Sequence, residues 1–212
     1  MQAPLREPQS STTIRVMIIK PKVLKGRYVR LEPVTPDLAE EMRGAIDCDP
    51  ATWEILTVNG CGEGFGHWFK ALLAEQERGE RIAFAIRRLS DKRVVGTSSY
   101  LNIRRLHKGL EIGWTFLHPD VRAGPVNPET KRLMLANAFD AGAIRVQFNV
   151  DSRNARSQAA VLKLGATEEG TLRNHMVTWT GHLRDTVVFS ITDSDWPAIR
   201  DRLDFRLQED FV

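Results

Sequence analysis

Hydrophobic and polar positions along this chain follow two rhythms, one with a period of two and one of 3.6. Tyr28, Val29 and Leu31 lie in a run at 27–33 that opens after Gly26 and closes at Pro33, which predicts a first strand. Thr35, Pro36 and Asp37 mark a helix start, and Leu38, Met42, Ala45 and Ile46 give that helix one apolar face until Asp47, Asp49 and Pro50 break it. The segment 50–66 holds Trp53, Ile55, Leu56 and several glycines, too apolar for a solvated loop and too broken for a long helix. Phe65, Trp68, Phe69, Leu72 and Leu73 then recur at the helical period and predict a helix over 65–76, ended by Gly79. The runs 81–88 and 94–101, around a turn at 90–92, predict an antiparallel hairpin, and 110–117 predicts another strand ending at Pro119.

The second half alternates. A helix is expected over 128–141, with Asn127 as its cap, Pro128 as its first residue, Glu129 in its first turn and Gly142 at its end. Leu133, Met134, Leu135, Ala136, Ala138 and Phe139 make it apolar on several sides, as a buried element would be. A strand at 145–150 follows, then a helix at 155–164 capped by Asn154 and stopped by Gly165. Runs at 176–179 and 185–191 form a hairpin around Thr180 and Gly181, and Trp196, Ile199 and Leu203 mark a closing helix. Residues 1–20 read as a loose tail, although 14–19 are apolar enough to add a strand or a partner contact. The expectation is a single domain over 21–207 with a short tail at 208–212, of the α/β (α+β) class, its hairpins and crossovers sharing one mixed sheet.

Composition removes several function classes. With 212 residues, 42% hydrophobic and 27% charged, the chain can bury a full core. The net charge of +3 is small and the cations are scattered, so no nucleic-acid surface is expected despite a pI near 9.0. Arg104, Arg105, His107 and Lys108 do cluster, but no aromatic residues interleave them. No apolar run reaches the ~20 residues that span a bilayer, and the N-terminus has no signal-peptide pattern, so no membrane partner is expected and the cytoplasm is the expected location. Cys48 and Cys61 read as free thiols, and five histidines without an HExxH or HxxxH spacing predict no metal. Neither a GxSxG elbow nor a P-loop is present.

The start of the 128–141 helix carries the first chemical signal. Unpaired backbone amides and the positive dipole end face a loop with Arg122 and Gly124, a combination that attracts phosphate. An ordinary capped core helix fits the same residues.

Three motifs, GRYVRLEP at 26–33, EIGWTFLHP at 111–119 and NARSQAAVLKLGATEEGTLR at 154–173, occur in an order that resembles the GCN5-related N-acetyltransferase (GNAT) superfamily. In detail they resemble its ribosomal-protein-alanine N-acetyltransferase (RimJ/RimL-like) branch, over residues 22–203. The resemblance implies a mostly antiparallel central sheet splayed at the cofactor cleft, helices on both faces, and acetyl-CoA or another acyl-CoA as co-substrate. In the family the loop ahead of the long helix reads Arg/Gln-x-x-Gly-x-Gly/Ala and its amides hold the pyrophosphate. Aligned on Arg122, Pro125 and Asn127 take the glycine positions while Gly124 lies one residue early, so a donor is lost at Pro125. Leu117, Arg122, Ala123, Gly124, Val126 and Asn127 are the implied donor contacts, with Asn154 and Ser157 lining the coenzyme arm.

The implied reaction is attack of a primary amine of a small molecule or protein N-terminus on the thioester. It requires a base, because such amines are mostly protonated at neutral pH. Glu111 is the expected base, with His118, Asp120 and His175 as alternatives, and a backbone N–H near Thr115 or Leu117 would hold the oxyanion. Val161 stands where many relatives carry the tyrosine that protonates the leaving thiolate, so Ser157 is named in its place. By the same analogy Trp53, Tyr100, Trp114, His175 and Trp179 would wall the acceptor pocket, and a homodimer or higher homo-oligomer is the expected assembly. Pro125 and the missing tyrosine also fit a second reading, a catalytically weak module that binds acyl-CoA without turnover.

Overall fold

The structure is a computed structural model that describes residues 16–209. One eight-stranded sheet runs through it in the order β1-β2-β3-β4-β5-β6-β8-β7. Its strands are β1 (Leu24–Lys25), β2 (Val29–Pro33), β3 (Ile82–Arg88), β4 (Val94–Arg104), β5 (Gly109–Leu117), β6 (Arg145–Asp151), β7 (Thr167–Val177) and β8 (Leu183–Thr192). Every neighbouring pair is antiparallel except β5 and β6. The helices are α1 (Ala39–Ile46), the single turn α2 (Pro50–Trp53), α3 (Phe65–Glu77), α4 (Val126–Asp140), α5 (Ala155–Leu164) and α6 (Trp196–Glu209).

Alternation along the strands gives the sheet two apolar faces, and each is covered. On one face Leu31, Phe84, Ile86, Leu110, Ile112, Val146 and Phe189 pack with Met134, Leu135 and Ala138 of α4 and with Ile199 and Leu203 of α6. On the other, Ala83, Ala85, Val94 and Phe116 pack with Met42 and Ile46 of α1 and with Trp68, Phe69 and Leu72 of α3. Trp53, in the short turn α2, belongs to this second core and stacks on Phe116 with ring centroids 4.3 Å apart.

Four expectations about element bounds change. Helix α4 begins at Val126, not at Pro128, because Pro125 itself takes helical angles (φ −73°, ψ −16°) and starts the first turn; Asn127 is inside the helix and caps nothing. Strand β7 extends over Thr167–Val177, where only 176–179 was expected. Its first half, rich in charge and threonine, lies at an open edge with no buried face, so no alternation announces it. At the N-terminus, residues 14 and 15 lie outside the described residues; 16–20 form no strand, but Met17 and Ile19 are buried in the first core, so 16–20 are packed and not loose. At the other end α6 continues to Glu209 and takes in the first two residues of the expected C-terminal tail at 208–212.

Candidate active site

Strands β5 and β6 are hydrogen-bonded in register over only three residue pairs, from Gly109 with Arg145 to Glu111 with Gln147. Beyond these pairs the two strands diverge, and a cleft of about 260 Å³ opens between residues 112–117 of β5 and 148–151 of β6. The first turn of α4 lines it through Asn127 and Lys131, and α5 contributes Asn154, Arg156, Ser157, Ala160 and Val161.

Strand β5 is irregular where it borders this cleft. Its register against β4 shifts between the pairs Thr97–Phe116 and Ser99–Gly113, and Trp114 within the bulge has φ 48°, a left-handed conformation that a bulky side chain rarely adopts. The surroundings hold that strained residue: the Arg81 guanidinium sits 5.2 Å from the Trp114 ring centroid, anchored by Ser99 and Glu75. The bulge turns Thr115 toward α4. There Thr115 Oγ1 lies 2.6 Å from Lys131 Nζ and 2.9 Å from Ser98 Oγ, and Lys131 Nζ lies 3.1 Å from Ser98 Oγ. Lys131 is buried and hydrogen-bonds to no carboxylate among the described residues, and burial pushes its ammonium down to about 7.

The loop ahead of α4 is shaped by its neighbours. Ala123, not Gly124, takes the left-handed angle (φ 63°). Arg122 donates from Nε to the Leu117 carbonyl at 3.1 Å and from Nη2 to Asp49 Oδ2 at 2.5 Å. At the helix start the amides of Val126 and Asn127 precede any intrahelical partner, and Pro128 has none to give. Asn127 Oδ1, which is buried, has no hydrogen-bond partner in the described chain.

Glu111 lies behind the cleft. It is buried, it accepts from Asn102 Nδ2 and Asn149 Nδ2 at 2.8 Å each, and burial raises its carboxyl above the ordinary range. Asn149 lines the cleft, and Gly113, also in its wall, presents no Cβ toward Glu111; one added there would stand 3.0 Å from Oε1. Glu111 also opens to a separate depression shared with Asn102, Arg104 and Gln147. Beside Asn149, the buried Arg184 borders the cleft near Asp151, whose carboxylate is bidentate to Arg153.

The expected site residues therefore separate into groups. Leu117, Arg122, Ala123, Asn127, Asn154, Ser157 and Trp114 all line the one cleft. Gly124 and Val126 face a second pocket on the other flank of the loop, with Arg27, Tyr28 and Arg88. Tyr100 and Trp53 are buried in the two cores and wall no cleft; Tyr100 donates to the Met134 carbonyl at 2.7 Å. Trp179 is half exposed and donates to the Trp53 carbonyl at 2.9 Å, while His175 is exposed on β7. His118 pairs with Asp120 at 2.6 Å, away from the cleft wall. Sequence reasoning missed Lys131, Asn149 and Arg184 and gave Thr115 only a backbone role. Lys131 carried no local signal: it follows Asn127 by four residues on the same helix face, but Glu129, Thr130 and Arg132 beside it make it read as one more residue of a polar first turn.

A family model described as an acetyltransferase (GNAT) domain matches residues 29–167. The chain belongs to the GNAT family of acetyltransferases. Among curated proteins, the uncharacterized N-acetyltransferase YoaA of Bacillus subtilis (strain 168) is 29% identical over 121 residues, 57% of this chain and 67% of that one. Among solved structures, a GCN5-related N-acetyltransferase from Brucella melitensis is 27% identical with a TM-score of 0.84, covering 94% of this chain and 91% of that one. RimJ of Mycobacterium smegmatis, solved in complex with CoA-disulfide, shares the fold at 22% identity with a TM-score of 0.75, over 87% and 94% of the two chains. GNAT enzymes use acetyl-CoA, and the residues here suit such a donor: an apolar slot between diverging strands for the arm, and free amides with Arg122 and Arg156 for the phosphates. Among the described residues no group of three or more His, Cys, Asp or Glu is placed to hold a metal, and no helix is long and apolar enough to cross a membrane.

Proposed function

We propose that this GNAT enzyme transfers an acyl group, acetyl in the first instance, from acyl-CoA to a primary amine by direct attack on the thioester. The observation that carries this reading is the cleft between β5 and β6, which ends at the first turn of α4 and is walled by the bulged strand 112–117. Amides of Ala123, Val126 and Asn127, with Arg122, hold the pyrophosphate; Gly124, which lines the second pocket and not the cleft, adds its backbone to the same loop. Asn154 and Ser157 flank the pantetheine arm. A backbone N–H near Thr115 or Leu117 holds the oxyanion.

Glu111 removes the acceptor's proton through a water near Gly113, where a Cβ would stand 3.0 Å from Glu111 Oε1. Burial has raised this carboxyl above its ordinary range, which makes it a stronger base. Trp114 and Arg184 border the acceptor's approach from the side of α2, and Trp179 and His175 stand further out along the β7–β8 arm. The same reading places the enzyme in the cytoplasm as a homodimer. In support, both cysteines are free thiols, and Leu172, Met176, Val177 and Leu183 expose apolar surface along that arm. Sedimentation velocity would test the dimer.

The deciding experiment follows free thiol release from acetyl-CoA and larger acyl-CoA donors over a panel of amines and N-terminal peptides. Acceptor-dependent thiol release is expected. Tight donor binding without thiol release from any pair would favour the binding module.

A further inference from the structure

The cluster of Lys131, Thr115 and Ser98 has no assigned task, and the reaction has an unfilled one. When the new N–C bond forms and the C–S bond breaks, the C–S electron pair leaves on sulfur, and the thiolate must be protonated. The phenol that would do this in many relatives is absent, because Val161 occupies the place and lines the cleft. Ser157 also lines the cleft, but it is hydrogen-bonded to no ionisable side chain among the described residues; its amide bonds to Asn154 Oδ1. Thr115 is different: its hydroxyl lies in the same cleft wall and sits 2.6 Å from a buried ammonium.

We propose that Thr115 Oγ1 protonates the departing thiolate and that Lys131 Nζ refills it, Ser98 holding the pair in line. The inference rests on the acyl-transfer reading above. The amine's proton goes to Glu111 and the sulfur's comes from Thr115, so Lys131 ends neutral and is recharged from solvent once the thiol leaves.

The surroundings suit a group that must give up a proton. Among the described residues Lys131 has two hydroxyl partners and no counter-ion, so none of them locks its charge in place. The other ionisable groups on the elements around it are engaged elsewhere. Glu129 accepts from the amides of Arg27, Tyr28 and Val29; Arg122 is tied to Asp49; Arg81, on the far side of the bulge, is tied to Glu75; and Tyr100 donates to Met134. Glu111 is held by two asparagines, Arg184 and Asp151 lie beside each other, and Arg156 is exposed on α5. Burial alone accounts for the lowered Lys131 pKa, which leaves the side chain readily discharged near neutral pH. The strain at Trp114 has a use in this arrangement, since the left-handed turn there aims Thr115 at α4.

The test compares wild type with Lys131→Met, Thr115→Val and Thr115→Ser, following thiol release from acetyl-CoA at saturating donor as a function of pH, with circular dichroism to check folding. Wild-type kcat should fall on the alkaline side as Lys131 loses its proton. Lys131→Met and Thr115→Val should lower kcat roughly 100-fold and flatten that limb, with the acetyl-CoA KM within about threefold of wild type. Thr115→Ser, which keeps the hydroxyl, should restore most of the rate and the limb. A Thr115→Val enzyme with an unchanged kcat profile, or a Lys131→Met enzyme that keeps the alkaline limb, would overturn the inference while leaving acyl transfer intact. Absence of turnover in the wild type would instead remove the reading beneath it.

Discussion

Arg122 reaches across the mouth of the cleft to Asp49, and its Nη2 lies 2.5 Å from Oδ2. The contact joins the loop ahead of α4 to the α1–α2 connection and holds the Asp49 carboxyl below the usual carboxylate range. In that arrangement a carboxylate competes with any phosphate for the same guanidinium. Asp49→Asn removes the competing charge and frees Arg122, so acetyl-CoA should bind about 3- to 10-fold more tightly, an effect of at most ~1.4 kcal/mol. Calorimetric titration at two salt concentrations checks it. Weaker or unchanged affinity would place the phosphates away from Arg122.

Glu111 makes a different prediction, in rate and not in affinity. Its pKa is raised mainly by burial, against the pull of Asn102 and Asn149. A base must be ionised to work, so wild-type kcat should fall as pH drops through that raised pKa. Glu111→Gln keeps the shape and the two asparagine contacts in reach. It should lower kcat by about 100-fold and remove the acid limb, with acetyl-CoA affinity near wild type. A variant with wild-type turnover across the pH range would take Glu111 out of the chemistry.

The parts of this molecule legible in the sequence are those set by local rules. Period-two and period-3.6 patterns located the central strands and α1, α3, α5 and α6, because each buries one apolar face. The cleft residues Asn127, Asn154 and Ser157 stood out because caps and loop motifs are written in consecutive residues. What stayed hidden depends on contacts far apart in the chain. Lys131 meets Ser98 and Thr115 across 33 and 16 residues, and no local pattern distinguishes it from a solvated lysine. Tyr100 and Trp53 misled for the converse reason: aromatic residues suit a core as well as a pocket wall, and only the packing decides. The start of α4 was displaced by two residues because two prolines, Pro125 and Pro128, compete for the same role.

A structural prediction comes from the other end of the α4 first turn. The Glu129 carboxylate receives the amides of Arg27, Tyr28 and Val29, each at 2.7 Å, and so ties α4 to the beginning of β2. Gly26 makes room for it: a Cβ there would stand 2.3 Å from Glu129 Cδ. Gly26→Ala should therefore expel the carboxylate and leave buried donors unpaired, at a cost of about 2–4 kcal/mol. In a domain of this size that lowers the melting temperature by roughly 5–12 °C. Gly124→Ala, where a Cβ would meet only the Val121 carbonyl at 3.7 Å, should change it little. Equal melting temperatures for the two variants would contradict the packing at Glu129.

Lys131 leaves a mark on stability as well as on rate, and its sign is fixed by linkage. Burial brings the folded-state value down to about 7, whereas a lysine in the unfolded chain titrates near ~10.4. Between those values the unfolded chain binds a proton that the folded chain does not, so the free energy of unfolding rises with pH over that window. Below it both states are protonated, and the folded chain bears the full cost of a buried ammonium. Lys131→Met removes this titration and leaves every other group common to both proteins. In urea unfolding from pH ~6 to ~9.5, wild-type stability relative to Lys131→Met should stay level below about pH 6.5 and then climb by about 3 kcal/mol by the top of that range. A difference that stays level throughout would mean that Lys131 remains charged in the folded enzyme at every pH tested. It would then be unable to act as the proton reservoir behind Thr115.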